Sequence, residues 1–186
     1  VEPSAKSYVR GETLRATSRG DFLFGAPMSG AKIRTTVGRS RTYFAPPGSE
    51  GFSTDDEDYG RENDSVTPNS NQLGTYTRAL GKDGTDGVEQ VLELPGLVGA
   101  EVVDVESEVE DFTRQTVASR ASAIVHPGEF YLGVRTPENE SFVRAKASVH
   151  PEVIALTPTG AKQPGVSVSV SLVKRPSILV HCRDGS

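Results

Sequence analysis

Three histidines, His126, His150 and His181, are the only side chains whose ordinary pKa suits acid–base chemistry near neutral pH. His126 and His150 each stand directly before a proline, a placement typical of turns and strand edges. No H-x-x-x-H, C-x-x-C or G-x-S-x-G spacing occurs anywhere in the chain. We therefore expect no catalytic residue, no cofactor-binding residue and no metal ligand, and we predict that the chain is not an enzyme.

Carboxylates offer two weaker candidates for a cation site. The acidic run Asp55–Asp58 could hold calcium, but a run of acids without ligand spacing more often lies in a solvated loop. The stretch Asp83–Gly87 resembles a calcium loop only faintly, because the downstream glutamate is missing. Its Asp-Gly pairs favour a tight turn, and whether Asp55–Asp58 binds calcium stays open.

Cys182 is the single cysteine of the chain, so no disulfide can form within it. A lone cysteine can be a reactive thiol or a buried one, and the sequence leaves both roles open for Cys182.

Composition excludes two classes of partner. The 186 residues carry a net charge of −5, which offers no basic surface for nucleic acid. No run of about 18 apolar residues is present to span a membrane. The first residues, Val1–Ser4, show no signal-peptide pattern, which is uninformative if the chain is a piece of a longer protein.

Apolar residues alternate with polar ones, the pattern of strands with one wet face, and no helical stripe of comparable length occurs. The sequence thus predicts an all-β protein with almost no helix. We expect strands at Thr13–Ser18, Asp21–Phe24, Ala31–Val37, Thr75–Leu80, Gly87–Leu94, Ala100–Val109, Thr116–Val125, Glu129–Val134, Val143–Val149, Val153–Leu156, Val166–Arg175 and Ser177–Val180.

Two antiparallel hairpins are expected among these strands. One joins Thr75–Leu80 to Gly87–Leu94 through the Asp-Gly turn, and the other joins Ala100–Val109 to Thr116–Val125. Between the early strands, Ala45–Leu73 is rich in Pro, Gly, Asn and acids and poor in aliphatic residues. Such a segment buries little surface, so we predict a long mobile loop that proteases cut first.

An internal repeat appears at an offset of 135 residues. It places Gly25-Ala26 on Gly160-Ala161 and Gly30 on Gly165, each inside a Gly/Pro-rich turn that precedes an alternating strand. A repeat this long indicates tandem domains. We expect one β-sandwich at 1–127, with the 45–73 loop, and a second at 128–186 that is incomplete because about 58 residues are few for a sandwich.

Two stretches resemble bacterial alpha-2-macroglobulins. Phe22–Ile33 is similar to the F-G-A-P-x-x-G-A-x-V stretch of that family. Phe112–Ser122 followed by Val125–Val134, with the pattern V-H-P-x-x-F-Y-x-G, resembles the join between consecutive macroglobulin domains. The resemblance implies two tandem macroglobulin-like antiparallel β-sandwiches of fibronectin-like or immunoglobulin-like topology, the second incomplete.

The same resemblance implies a structural part in a secreted or periplasmic broad-spectrum protease trap. Its partners would be the neighbouring macroglobulin domains and, through the full-length protein, target proteases. The family's thioester motif, Cys-x-Glu-Gln, is absent: Glu89-Gln90 follow Gly87-Val88, and Cys182 precedes Arg183. We therefore expect no thioester and no bait region here, and a periplasmic or extracellular location with any lipid anchor elsewhere in the parent protein. An adhesive or ligand-binding β-sandwich module of a surface protein is the alternative.

Overall fold

A computed structural model describes residues 1–54, 71–136 and 148–171. Ten β-strands and no helix occur in these ranges, which confirms the all-β prediction. The strands are β1 (Glu2–Pro3), β2 (Ser7–Val9), β3 (Thr13–Arg19), β4 (Lys32–Arg41), β5 (Gln72–Ala79), β6 (Thr85–Val91), β7 (Glu101–Glu110), β8 (Thr116–His126), β9 (Tyr131–Arg135) and β10 (Glu152–Leu156).

Strands β1 to β8 form two sheets that pack face to face. One sheet has the order β1-β3-β6 and the other the order β2-β8-β7-β4-β5, while β9 and β10 pair in a sheet of their own. The alternation of the sequence decides which side chains lie inside: in β7 the buried residues fall at every second position, from Glu101 to Val109. Leu14 of β3 and Val88 of β6 meet Val37, Val103 and Val125 of the larger sheet in one apolar core.

The two sheets are also joined by polar groups inside the sandwich. The Ser107 hydroxyl lies 2.8 Å from the Ser18 hydroxyl and 2.8 Å from the Thr35 hydroxyl, and all three residues are buried. Ser18 belongs to the three-stranded sheet and the other two to the five-stranded sheet. Hydroxyls both donate and accept, so the three can satisfy one another without water.

The hairpin predicted at Ala100–Val109 and Thr116–Val125 is confirmed. Strands β7 and β8 pair antiparallel from Glu101 opposite Val125 to Glu110 opposite Thr116. The carboxylate of Asp111 accepts hydrogen bonds from the backbone N–H groups of Thr113 and Gln115, which closes the connecting turn.

The other predicted hairpin is wrong. Strand β5 pairs with β4 and β6 pairs with β3, so the Asp-Gly turn carries the chain from one sheet to the other. Gly84 has the positive φ of 76° that the dipeptide predicts. Turn chemistry fixes this local conformation but not the partners of the flanking strands. Here the Gly84 carbonyl accepts a hydrogen bond from Gly20, next to β3.

One predicted strand does not form, and another shows no strand in the part of it that the structure describes. Asp21–Phe24 is a turn closed by Gly25, whose N–H donates to the Phe22 carbonyl at 2.7 Å. Val166–Arg175 has no strand in its described part, 166–171, which pairs with none of the described strands. The remainder, with Ser177–Val180 and most of Val143–Val149, lies outside the described residues.

Candidate functional site at the β8–β9 joint

His126 is the last residue of β8 and lies at the centre of a buried polar and aromatic cluster. Its Nδ1 lies 2.6 Å from the Tyr131 hydroxyl, and its Nε2 lies 2.9 Å from the Ser7 hydroxyl. Phe44 places its ring edge-on to the imidazole, with 4.7 Å between the ring centroids. Ser7 comes from β2, the parallel edge strand beside β8, and Tyr131 opens β9, so one imidazole ties three segments together.

The imidazole is held in its neutral form. His126 is only 2% exposed, and burial lowers its pKa below the ordinary value of 6.5. A neutral imidazole has one N–H donor and one acceptor nitrogen, and a hydroxyl can complement either. The arrangement therefore suits a structural joint. A general base would need a free nitrogen facing a substrate.

The sequence placed His126 at a strand end but did not show whether its side chain is buried. The residue does stand at the end of a strand before Pro127, as predicted, but its side chain turns inward. The pattern V-H-P-x-x-F-Y contained the signal, since it places an aromatic hydroxyl five residues after the histidine. Ser7 and Phe44 could not be found in this way, because their approach depends on the sheet.

Residues 45–54 dock onto the sheet formed by β9 and β10. The N–H of Ser53 donates to the Val134 carbonyl at 2.8 Å, and the N–H of Val134 donates to the Ser53 carbonyl at 2.9 Å. The Arg135 guanidinium lies over the Phe52 ring, 4.4 Å from its centroid, and forms an ion pair with Glu152. The segment thus extends the β9–β10 sheet by one bridged residue.

The structure corrects the predicted mobile loop over Ala45–Leu73 at both of its ends, while residues 55–70 lie outside the described residues. Pro46 and Ser49 are buried, and the Ser49 hydroxyl donates to the Pro46 carbonyl at 2.7 Å. Gln72 already belongs to β5. Composition underestimated the order because prolines lose little further backbone entropy in a compact turn, and because neighbouring side chains cover this one.

The internal repeat at offset 135 recurs in the backbone hydrogen bonds. We call residues 20–28 turn A and residues 155–163 turn B. In turn A, Phe22 N–H donates to Ala26, Gly25 N–H to Phe22, and Met28 N–H to Gly20, at 2.7 to 2.9 Å. In turn B, the same three bonds run from Thr157 to Ala161, Gly160 to Thr157, and Gln163 to Ala155, each at 2.9 Å.

The glycines in the two turns and just after them share a conformation as well. Gly25 and Gly160 both have φ of 87°, and Gly30 and Gly165 have φ of 75° and 79°. These values lie in the left-handed region that glycine adopts without strain, which explains why the glycines recur in the repeat. The domain boundary after Pro127 stays a prediction.

The remaining sequence candidates do not converge on a site. Asp83 accepts hydrogen bonds from Thr85, which lowers the pKa of its carboxyl and supports the turn interpretation. Glu89 forms an exposed ion pair with Arg15 on β3. His150 is exposed, whereas Asp55–Asp58, His181 and Cys182 lie outside the described residues.

Within residues 1–54, 71–136 and 148–171, no group of three His, Cys, Asp or Glu side chains could hold a metal ion. The same ranges contain no helix long and apolar enough to cross a membrane.

The fold and the joint together define a class: a β-sandwich module whose last strand leads directly into a second β unit that docks against it. No protein-family model and no curated protein matches the chain. Solved structures of bacterial alpha-2-macroglobulins are similar in fold. The Escherichia coli protein in its native conformation aligns with a TM-score of 0.57 and 14% identity over 88% of this chain.

Two further structures agree. The Escherichia coli protein activated by porcine elastase aligns over 86% of this chain with a TM-score of 0.60 and 17% identity. Salmonella alpha-2-macroglobulin reacted with methylamine aligns over 87% with a TM-score of 0.57 and 13% identity. The chain spans 11% to 14% of the length of these proteins, and at such identities the likeness shows the fold alone.

Proposed function

We propose that the chain is a structural module in the scaffold of a protease-trapping protein of the alpha-2-macroglobulin type. One observation carries the proposal: the likeness to these proteins continues through the β8–β9 joint and covers 86% to 88% of the chain. A module that only bound a ligand would not need a second β unit fixed to it by Ser53, Phe52 and Pro47.

In this proposal the module has a structural role and binds no ligand. The buried His126 cluster and the docked 45–54 segment fix the direction in which the chain leaves the sandwich. Fixed directions between successive modules are what a scaffold must supply to hold a cleavable segment in one place. The chain itself contributes no catalytic group to the trap, and its parent protein would be periplasmic or extracellular.

The test compares the isolated 186-residue chain with the full-length product of its gene. Each is incubated with porcine elastase, and cleavage of a large protein substrate and of a small peptide substrate is followed. We expect the full-length protein to slow cleavage of the large substrate while sparing the small one, because a trap blocks access rather than the active site. The isolated chain should slow neither.

Two outcomes would contradict the proposal. One is a full-length protein that leaves both substrates unaffected across a panel of endopeptidases. The other is stoichiometric inhibition by the isolated chain, which would place the inhibitory element within these 186 residues.

A further inference from the structure

Turn A presents an apolar surface that nothing in the described part of the chain covers. Leu23 is fully exposed, and Phe24 and Phe112 are 81% and 84% exposed. The rings of these aromatics are held together through Phe22, which stacks on Phe24 at 5.3 Å and lies 5.9 Å from Phe112. Single exposed apolar residues are ordinary, but three exposed ones grouped around the half-buried Phe22 mark an interaction surface.

A cleft of about 340 Å³ adjoins this group, with Phe22 and Phe112 on its walls and Met28 and Ala31 among its lining residues. We call Phe22, Leu23, Phe24, Gly25 and Phe112, together with this cleft, the turn A surface.

Turn B shows what covers such a turn. A Cβ atom added to Gly160 would lie 2.5 Å from the Pro47 carbonyl oxygen and 2.9 Å from the Pro47 Cβ. The proline of the 45–54 segment, which belongs to the preceding sandwich, thus sits directly on the glycine of turn B. Only a residue without a side chain allows this approach.

Turn A has the same glycine without the covering proline. Gly25 has the same φ of 87° and the same hydrogen bonds, yet a Cβ added to it would meet nothing within 4 Å. Turn A also exposes Leu23 and Phe24 where turn B has Pro158 and Thr159 at the same offset. Its surface is therefore the more apolar of the two and gains more from being covered.

We propose that the turn A surface is the docking site for a β-sandwich domain that precedes this chain in its parent protein, and that this domain covers Gly25 with a proline-containing segment equivalent to 45–54. The inference rests on the modular part of the proposed function. It names the contact surface and the chemistry of the partner. The partner would present a Pro-Pro-Gly turn like that of residues 46–48, and the proline side chains of this turn would pack on Leu23 and Phe24.

The experiment measures the accessibility of turn A. Leu23→Cys is placed in a Cys182→Ser background, and its reaction with a maleimide is timed in the isolated chain and in the protein extended to the start of its gene. Glu93→Cys is the matched control, because Glu93 is exposed beyond the end of β6, at the opposite end of the sandwich from turn A.

We expect Leu23→Cys to react at least about tenfold more slowly in the extended protein, since labelling would require the docked domain to open. Glu93→Cys should react at the same rate in both proteins. Adding Phe24→Asp should restore fast labelling of Leu23→Cys in the extended protein and change nothing in the isolated chain, where Phe24 already faces solvent.

Three results would overturn the inference: equal labelling of Leu23→Cys at both lengths, a gene that encodes no β-sandwich before Val1, or protection of the isolated chain that rises with its concentration. The last would identify a second copy as the occupant. Protection of Leu23→Cys in a protein that slows none of the panel of endopeptidases would refute the trap and leave the docking site standing. Inhibition of proteases by the full-length protein without protection of Leu23→Cys would refute the docking site and leave the trap standing.

Discussion

The His126 cluster is the most closely coupled group of side chains in the joint. Two hydroxyls satisfy one imidazole, but their surroundings differ: Tyr131 is buried, whereas Ser7 is exposed at the edge strand β2. A buried nitrogen that loses its partner has no water to replace it, whereas one at the rim can be rehydrated. The two hydroxyls are therefore expected to differ in their contribution to stability although their hydrogen bonds are of similar length.

Tyr131→Phe should lower the free energy of unfolding by about 1–3 kcal/mol, because it leaves His126 Nδ1 buried without its hydroxyl. Ser7→Ala is the control, and its effect should stay below about 1 kcal/mol since water can reach the Nε2 side. Urea titrations of the two variants check this difference. Equal losses would contradict the expected difference between a buried Nδ1 and a hydrated Nε2.

Burial of His126 also predicts a pH dependence. Because its pKa is lowered in the folded chain, the unfolded chain takes up a proton more readily just below pH 6.5. The contribution of the neutral imidazole to stability is thus complete above that pH, and it falls on acidification until the folded-state pKa is passed.

Unfolding titrations between pH 7.5 and pH 5 test this dependence. Wild type should lose stability more steeply than His126→Gln, which cannot titrate but keeps a donor and an acceptor. His150→Gln removes an exposed histidine and should keep the wild-type slope. A wild-type slope no steeper than that of His126→Gln would refute the assignment.

Turns A and B allow a comparison at the scale of the structural element. The two turns have the same hydrogen bonds and the same φ at Gly25 and Gly160, so an alanine at either position suffers the same backbone strain. Only at Gly160 does the new Cβ meet the Pro47 backbone.

We expect Gly25→Ala to cost about 1–2 kcal/mol, the usual strain of a left-handed alanine. Gly160→Ala should cost clearly more, because Pro47 must also move away. Hydrogen exchange at Ser53 and Val134 is the decisive readout, since their paired amides should lose protection in Gly160→Ala and keep it in Gly25→Ala. Identical exchange in both variants would show that Pro47 does not rest on turn B.

The elements that the sequence predicted well are those whose pairing is local. Alternation and a short Asp-containing turn suffice to define β7 and β8, and the glycines of turns A and B follow from their required φ. Pairing across the sandwich was not predictable in this way. The Asp-Gly turn at Gly84 has the expected conformation, yet β6 crosses to β3, where Val88 joins Leu14 in the core.

The candidate site was predicted only in part for the same reason. The motif around His126 and Tyr131 is visible in the sequence, but Ser7 is 119 residues away and Phe44 approaches from the end of β4. The order of residues 45–54 was missed because its cause lies outside the segment, in the edge of β9 and in Gly160.

At the scale of the whole molecule, the 45–54 segment forms the contact between the sandwich and the β9–β10 unit. If this contact persists in solution, it must also protect the backbone of residues 45–54 from proteolysis. Phe52 and Phe24 offer a matched pair for the same protease: Phe52 packs under Arg135, whereas Phe24 stands on the exposed turn A.

Chymotrypsin at low concentration should therefore cut after Phe24 well before it cuts after Phe52, because cleavage requires several residues around the bond to leave the fold. Gly160→Ala should accelerate the cut after Phe52 and leave the cut after Phe24 unchanged. The substitution loosens only the contact between residues 45–54 and the β9–β10 unit. Mass spectrometry of the early fragments distinguishes the two bonds. Rapid cleavage after Phe52 in the wild-type chain would show that the β9–β10 unit is tethered to the sandwich rather than docked against it, and the module would then be unable to fix the direction of a scaffold.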